Sequence, residues 1–232
     1  MHVHPLGDST GVIPLSNASL ASTARSLYAH GPAVHRGMMG LRPYICPFDR
    51  LLELVPDGAS VLDVGCGCGL FLGLLAATGK QPRGFGVDVS AEAIPTARIM
   101  ADRLRETQVP ADLTFHRIGP DDPRPDGSYD VVSLIDVIHH VPRARQHALF
   151  ASAASTVRPG GLLLFKDIGP KPFWRASMNR LHDLLVAREW IHLVSADSVE
   201  RWGREEGLTL VQRERINRLW YGHDLLLFRR NG

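Results

Sequence analysis

The sequence has few cysteines, no long apolar run and almost no net charge. Its 232 residues include three cysteines, Cys46, Cys66 and Cys68. This odd number with no paired framework favours a reducing compartment. No segment approaches the ~18 consecutive apolar residues that a membrane span needs. The formal net charge of +2 argues against a nucleic-acid-binding protein, which usually carries a concentrated basic face.

The N-terminal stretch "MHVHPLGDSTGVIPLSNASL" has no basic start followed by an apolar run, so it does not predict a signal peptide. The predicted location is the cytoplasm. One segment, residues 171–194, has a basic amphipathic face that could contact a membrane surface. We do not expect the protein to depend on that contact.

Strands and helices alternate along most of the chain. The apolar runs predict strands at 60–65, 83–90, 112–118, 128–137, 162–168, 208–220 and 222–230. Helices are predicted at 48–56, 70–79, 91–107 and 143–157, the third capped by Ser90, and a long helical stretch at 171–206. This alternation is typical of βαβ units in a mostly parallel sheet, and the two final strands predict an antiparallel hairpin.

We expect one domain over residues 1–232, with two additions. Residues 1–45 are predicted to be mostly irregular, with their best helix at 17–30, and to form an N-terminal helical cap. The second addition, 170–195, carries Trp174 and Met178 on an apolar stripe with helical spacing. It is either a crossover helix packed on the sheet or a lid over an acceptor site.

The stretch "VLDVGCGCGL", residues 61–70, follows the first predicted strand, where open parallel sheets bind their ligands. Its glycines allow a tight turn and the close approach of a ligand. The pattern is Gly-x-Gly-x-Gly, whereas a dinucleotide site needs Gly-x-Gly-x-x-Gly. Asp63 in front of the loop would repel a pyrophosphate but suits a cationic ligand. Asp88, about 20 residues after the loop, suits the hydroxyls of a ribose.

A ribose joined to a positive charge describes S-adenosylmethionine. The segments "VLDVGCGCG", "GVDVS", "SYDVVSLIDVIHHVP" and "VRPGGLLLFKD" together resemble the class I S-adenosylmethionine-dependent methyltransferases, over roughly residues 48–170. The resemblance implies an α/β, Rossmann-like, mostly parallel seven-stranded sheet with an antiparallel last strand and helices on both faces. It further implies that Asp63 and the backbone of 65–69 hold the methionine part and that Asp88 holds the ribose.

One part of the family pattern is missing. The family usually has an acidic residue after the third strand that meets the adenine amine, and this chain has "IGPDDPRPDGSYD" there. Asp121 or Asp122 can take that role. The predicted cofactor-binding residues are Asp63, Gly65, Cys66, Gly67, Gly69, Asp88, Val89, Asp121 and Asp136.

His139 and His140 follow the fourth strand at the ligand edge of the sheet, and we predict that one of them handles the proton of the acceptor. The alternative is a structural role at a strand-to-helix turn. Tyr44, Trp174 and Met178 are predicted to line the acceptor site, and Arg42 can reach the same region. Lys166 and Asp167 end the fifth strand, either at the site or as a surface charge pair. No metal is predicted, because Cys66 and Cys68 have no second ligand pair.

The predicted function is methyl transfer from S-adenosyl-L-methionine to the carbon or oxygen of a small hydrophobic or aromatic molecule. One alternative acceptor is a lipid or a carrier-bound acyl or polyketide intermediate. Two alternatives belong to other classes: a binding module for the cofactor without turnover, and an NAD-linked oxidoreductase, which Asp63 and the glycine spacing disfavour.

Overall fold

A computed structural model describes residues 13–30, 33–119, 122, 127–169, 192–219 and 221–232. Its α-helices are α1 (Asn17–Leu27), α2 (Ala33–Ile45), α3 (Phe48–Glu53), α4 (Leu70–Ala77), α5 (Ala93–Glu106), α6 (Arg143–Ser155) and α7 (Ala196–Glu205). Its strands are β1 (Ser60–Val64), β2 (Arg83–Asp88), β3 (Asp112–Arg117), β4 (Tyr129–Ile135), β5 (Val157–Ile168), β6 (Leu208–Arg218) and β7 (Tyr221–Arg230). A short 3-10 turn spans Ile138–His140.

The strands form one seven-stranded sheet in the order β3-β2-β1-β4-β5-β7-β6. The pairs β1–β4, β2–β3 and β4–β5 are parallel, whereas β7 runs antiparallel to both β5 and β6. This topology confirms the predicted Rossmann-like α/β fold and the terminal hairpin.

The chain groups into two compact units, Met1–Ser60 with Cys66–Arg117, and Val61–Gly65 with Ile118–Gly232. In the first unit, α4 is almost wholly apolar and buried, because its sequence "LFLGLLAA" offers no polar face. In the second unit, Phe150 of α6 packs against Phe165 of β5, Phe228 of β7 and Trp202 of α7, with ring centroids 5.9 to 6.5 Å apart.

Helix α2 was not predicted, because two glycines and Pro43 lower the helix propensity of this stretch. The structure shows why one glycine is there. A Cβ on Gly40 would lie 2.5 Å from Cγ of Arg25 in α1, so glycine allows the two helices to approach closely. Tertiary packing therefore overrides local propensity in this part of the chain.

Strand β5 begins five residues earlier than predicted, at Val157 instead of 162. The "PGG" sequence, interpreted as a turn, lies inside the strand. The register with β4 shifts between Tyr129 and Val131, and Gly160 has a φ of +72°. The irregular pairing accommodates the turn-forming residues, so the strand continues through them.

Some predictions fall on residues outside the described ranges. They are the acceptor-lining roles of Trp174 and Met178, the adenine contact of Asp121, and nearly all of the 170–195 addition. Among the described helices, none combines the length and apolar character that a membrane crossing requires.

Candidate active site

The glycine loop begins at a buried carboxylate. Asp63 in β1 lies directly beside Ser133 of β4 in the parallel register, and its Oδ1 accepts a hydrogen bond of 2.7 Å from the Ser133 hydroxyl. Both side chains are buried. This bond fixes the orientation of the carboxylate at the start of the loop, and the sequence alone did not single out Ser133.

The three loop glycines all have positive φ, but they differ in what surrounds them. A Cβ on Gly65 would lie 2.3 Å from Val137, and one on Gly69 would lie 2.7 Å from the ring of Phe115. Glycine at these two positions is therefore required by packing. A Cβ on Gly67 would meet no protein atom within 4 Å. Gly67 is thus the position where a side chain would enter the space in front of the loop.

Asp88 at the end of β2 supports this loop. Its Oδ2 accepts a 2.7 Å hydrogen bond from the backbone N–H of Gly67, and its Oδ1 accepts one of 2.8 Å from the N–H of Ser90. Each carboxylate oxygen has a second lone pair, so these bonds are compatible with the predicted ribose contact. The carboxylate is half-buried and is no mere surface group. The Ser90 hydroxyl in turn accepts from the N–H of Ala93. The helix begins at Ala93 with Glu92 as its N-cap, so it starts two residues later than predicted and Ser90 caps only the preceding turn.

We expect Asp88→Asn and Asp88→Ala to differ. Both substitutions should weaken cofactor binding at least ten-fold, because charge-assisted bonds to the ribose are lost. Only Asp88→Ala should also lower Tm by several degrees, since it leaves two backbone donors without their acceptor. Calorimetric titration and thermal melts measure both effects. Cofactor affinity within three-fold of wild type in a folded Asp88→Ala protein would restrict Asp88 to a structural role.

Cys68 lies in the same loop, where the Tyr28 hydroxyl donates a 2.6 Å bond to its carbonyl oxygen. Burial raises the pKa of the Cys68 thiol to about 11. The negative charge of Asp88 also raises this pKa, whereas the positive charge of Arg42 lowers it. Arg42 in α2 therefore lies close enough to this loop to act on it electrostatically. Its contact with cofactor or acceptor stays a prediction. At neutral pH Cys68 is a thiol, which argues against a nucleophilic role.

This pKa predicts slow alkylation of Cys68. At pH 8 its thiolate fraction should be about 100-fold smaller than that of an ordinary cysteine, so iodoacetamide should react about 100-fold more slowly. Asp88→Asn should accelerate the reaction because it removes the charge that disfavours the thiolate. Peptide mass spectrometry over a time course measures the rate, with glutathione as the reference thiol. Reaction at the glutathione rate would contradict the raised pKa.

His139 and Asp167 form a buried pair. The 3-10 turn after β4 directs the His139 ring towards the end of β5, where Nδ1 hydrogen-bonds to Oδ1 of Asp167. The Asp167 carboxylate also accepts the backbone N–H groups of His139 (3.1 Å) and Ile168 (2.7 Å). Neither residue is on the surface, which corrects the surface-pair interpretation of Asp167. With Nδ1 directed at a carboxylate, Nε2 is the nitrogen through which the ring would exchange a proton with an acceptor.

His140 has a different environment. Its side chain is exposed, and its ring centroid lies 4.0 Å from that of His139. The turn that carries both histidines is fixed by Gln146 of α6, whose buried amide donates to the carbonyl oxygens of Ile138 (3.0 Å) and Val141 (3.2 Å). Of the two predicted histidines, His139 has the oriented ring that proton transfer needs.

Asp136, predicted to face the cofactor, forms a 2.6 Å ion pair with Lys166, whose side chain is fully buried. Lys166 is therefore not a surface residue either. Donor atoms of Asp136, His139 and Asp167 lie within 4.8 Å of one another, close enough for a metal ion by distance alone. A divalent cation there would lie beside the Lys166 ammonium, and the repulsion disfavours it. We therefore predict, as the sequence analysis does, that no metal ion binds to this cluster.

Of the remaining predicted residues, Cys66 is buried in the glycine loop, and the others that the structure describes lie on its surface. Tyr44 is in α2 with 39% of its surface exposed, and Val89 follows β2 with 56% exposed. Val89 contributes its carbonyl oxygen to a 3.0 Å bond from Nε of Arg117. The Asp122 carboxylate accepts the N–H of Gly119, which closes a local turn. Their predicted contacts with acceptor or cofactor stay predictions.

Comparison with known proteins identifies the family. Residues 41–213 match the family described as "Methyltransferase domain". The chain therefore belongs to this methyltransferase family, as its motifs predicted.

The chain is similar to two curated enzymes. It is 28% identical over 163 residues to the ubiquinone biosynthesis O-methyltransferase of Alkalilimnicola ehrlichii, covering 66% of this chain and 62% of that protein. It is 31% identical over 166 residues to the 27-O-demethylrifamycin SV methyltransferase of Amycolatopsis mediterranei, covering 69% and 58%. The matched region thus spans less than two thirds of either relative.

Among solved structures, the chain is similar to magnesium protoporphyrin IX methyltransferase from Synechocystis PCC 6803 with bound SAH. The TM-score is 0.66 at 18% identity, covering 93% of this chain and 96% of that one. At this identity the likeness shows the fold.

Proposed function

We propose that this protein transfers a methyl group from S-adenosyl-L-methionine to a carbon or oxygen atom of a small hydrophobic or aromatic molecule. The observation that carries the proposal is the His139–Asp167 pair beside the start of the glycine loop. Gly65 in that loop packs against Val137, and Val137 lies two residues before His139. The start of the loop at Gly65 and the turn that carries His139 therefore adjoin within a single compact unit.

The residues present fit this cofactor. A side chain at Gly67 would meet no protein atom, so a ligand can approach the loop backbone there. Asp63 and Asp88 supply negative charge, which suits an amino group and ribose hydroxyls and disfavours the phosphates of NAD. The bound cofactor supplies an electrophilic methyl group.

The chain's own residues act on the acceptor. The cofactor held at the glycine loop would supply the methyl group, and for a hydroxyl acceptor Nε2 of His139 would take the hydroxyl proton. Asp167 holds the ring in position and stabilises the positive charge that the imidazole then carries. The turn fixed by Gln146 keeps the ring oriented before the acceptor arrives, which lowers the entropic cost of reaction.

Two measurements test this proposal. Calorimetry with S-adenosylmethionine and with NAD should show binding of the former only. Incubation with phenols, quinone precursors and polyketides, followed by mass spectrometry, should show a mass gain of one methylene group with release of S-adenosylhomocysteine. Preferential binding of NAD would overturn the proposal in favour of an oxidoreductase. Cofactor binding without product from any acceptor class would favour a binding module.

A lipid or carrier-bound intermediate is the alternative acceptor, and the same screen with acyl-carrier substrates distinguishes it. We further propose that the protein is cytoplasmic, because its three cysteines have no paired framework. We also propose that it has no nucleic-acid partner, because its net charge is only +2. A gel-shift assay with duplex DNA and RNA should show no retardation.

A further inference from the structure

Asp167 is itself flanked by a second carboxylate. In the antiparallel pairing of β5 and β7, Asp224 lies directly opposite Asp167. Side chains opposite each other in such a pair point to the same face, with Cβ atoms about 5 Å apart. Asp224 is 7% exposed. Two acidic side chains are thus held next to each other behind the His139 ring.

A cation on the next strand compensates this charge. Arg215 of β6 pairs with Asp224 in the β6–β7 register, and its Nη1 lies 3.2 Å from Oδ1 of Asp224. Arg213, Asp197 and Asp167 also act on Asp224 electrostatically, and His223 is its neighbour in β7. The sheet therefore carries a row of charges, Arg215, Asp224, Asp167 and His139, across three strands and the turn.

The chain leaves space for the Asp224 carboxylate. A Cβ on Gly169, just after β5, would lie 2.3 Å from Oδ2 of Asp224 and 3.3 Å from Nη2 of Arg215. The carboxylate therefore rests against the backbone at the end of β5, two residues beyond Asp167. Any side chain at position 169 would displace it.

We propose that Asp224 is a positioning residue that acts through Asp167 and increases the basicity of His139, with Arg215 keeping it ionised. The Asp224 charge disfavours negative charge on the adjacent Asp167, so Asp167 becomes a stronger hydrogen-bond acceptor for the His139 ring and favours the protonated imidazole. Burial raises the pKa of Asp224 and Arg215 opposes that effect, which is why the cation is needed. The role in catalysis rests on the proposed function, whereas the effect on the imidazole does not.

The direct test is the pKa of His139, measured by NMR on the full chain without cofactor or acceptor. The chain has 11 histidines, so the His139 resonance is assigned as the one absent from His139→Gln. Asp224→Asn should lower this pKa by about 0.5 to 1. Asp130→Asn is the matched control, because Asp130 is also paired with an arginine, Arg158, but lies at the opposite end of β4. It should leave the pKa unchanged.

Two further variants separate the proposal from its alternatives. Gly169→Ala displaces the carboxylate without removing its charge and should lower the His139 pKa in the same direction. In an Asp167→Asn background, Asp224→Asn should have less than half of its effect, because the residue through which it acts is gone. An unchanged His139 pKa in Asp224→Asn, or an undiminished effect in the double variant, would overturn the proposal.

Kinetics then link the effect to turnover. With an acceptor found by the screen above, Asp224→Asn should lower kcat several-fold with KM unchanged, and the acidic limb of the pH–rate profile should shift by the same amount as the NMR pKa. A shift in the NMR pKa without any methyl transfer from the wild-type protein would overturn the proposed function while leaving the charge row intact. A shifted pKa with an unshifted pH profile would overturn the role of Asp224 in turnover.

Discussion

Replacing His139 by alanine should lower kcat by about 10²- to 10⁴-fold, which is the usual contribution of a positioned general base. Cofactor affinity should stay within three-fold of wild type, because the role that we propose for the imidazole is to take the proton of the acceptor and not to bind the cofactor. Asp167→Asn should lower kcat by a similar order, since an amide can favour the wrong tautomer of the ring. Product formation under saturating cofactor measures kcat, and calorimetry measures affinity.

His140 provides the matched control for His139. It is the neighbouring histidine of the same turn, but its ring is exposed. His140→Ala should therefore retain most of the activity. Treatment with EDTA should also leave the rate unchanged, because Lys166 already provides the positive charge next to Asp136. A large loss in His140→Ala with none in His139→Ala would assign the proton to the exposed ring. A loss on chelation that magnesium restores would assign a metal to this cluster.

Replacing Gly67 by valine should eliminate measurable binding of S-adenosylmethionine while the protein stays folded. The side chain would meet no protein atom near its Cβ, so it would extend into the space in front of the loop. The remaining cost is backbone strain, since the φ of +53° disfavours a branched residue by roughly 1 to 2 kcal/mol. Calorimetric titration measures the binding, and a thermal melt confirms the fold.

Gly79 is the matched control, because it separates the effect of backbone strain from the effect of placing a side chain in the glycine loop. It has a φ of +86° just after α4, and a Cβ there would also meet nothing within 4 Å. Gly79→Val should lower Tm about as much as Gly67→Val and leave cofactor affinity unchanged. If Gly67→Val binds the cofactor as the wild type does, this loop is not where the cofactor lies.

The order of strands and helices could be predicted from the sequence because most elements carry their own signals. The strand "SVLDVG" and the helix "LFLGLLAATG" are both uninterrupted apolar runs, and the glycine loop between them marks the ligand edge. Where two local signals disagreed with the structure, packing was the cause. Gly40 disfavours a helix in isolation but permits the contact between α1 and α2. The "PGG" stretch by itself predicts a turn, but it lies within β5, where the pairing with β4 is irregular.

The sequence by itself determined the fold class, the family and the position of the glycine loop, because each depends on residues that are neighbours in the chain. Only the tertiary structure decided the partners of the functional side chains. Asp63 and Ser133 are 70 residues apart, and His139 and Asp167 are 28 residues apart, so each pair meets only through strand register or at strand ends. Sequence spacing does not fix the register between strands that are joined by long connections, whereas hydrogen-bonded pairing fixes which side chains face each other.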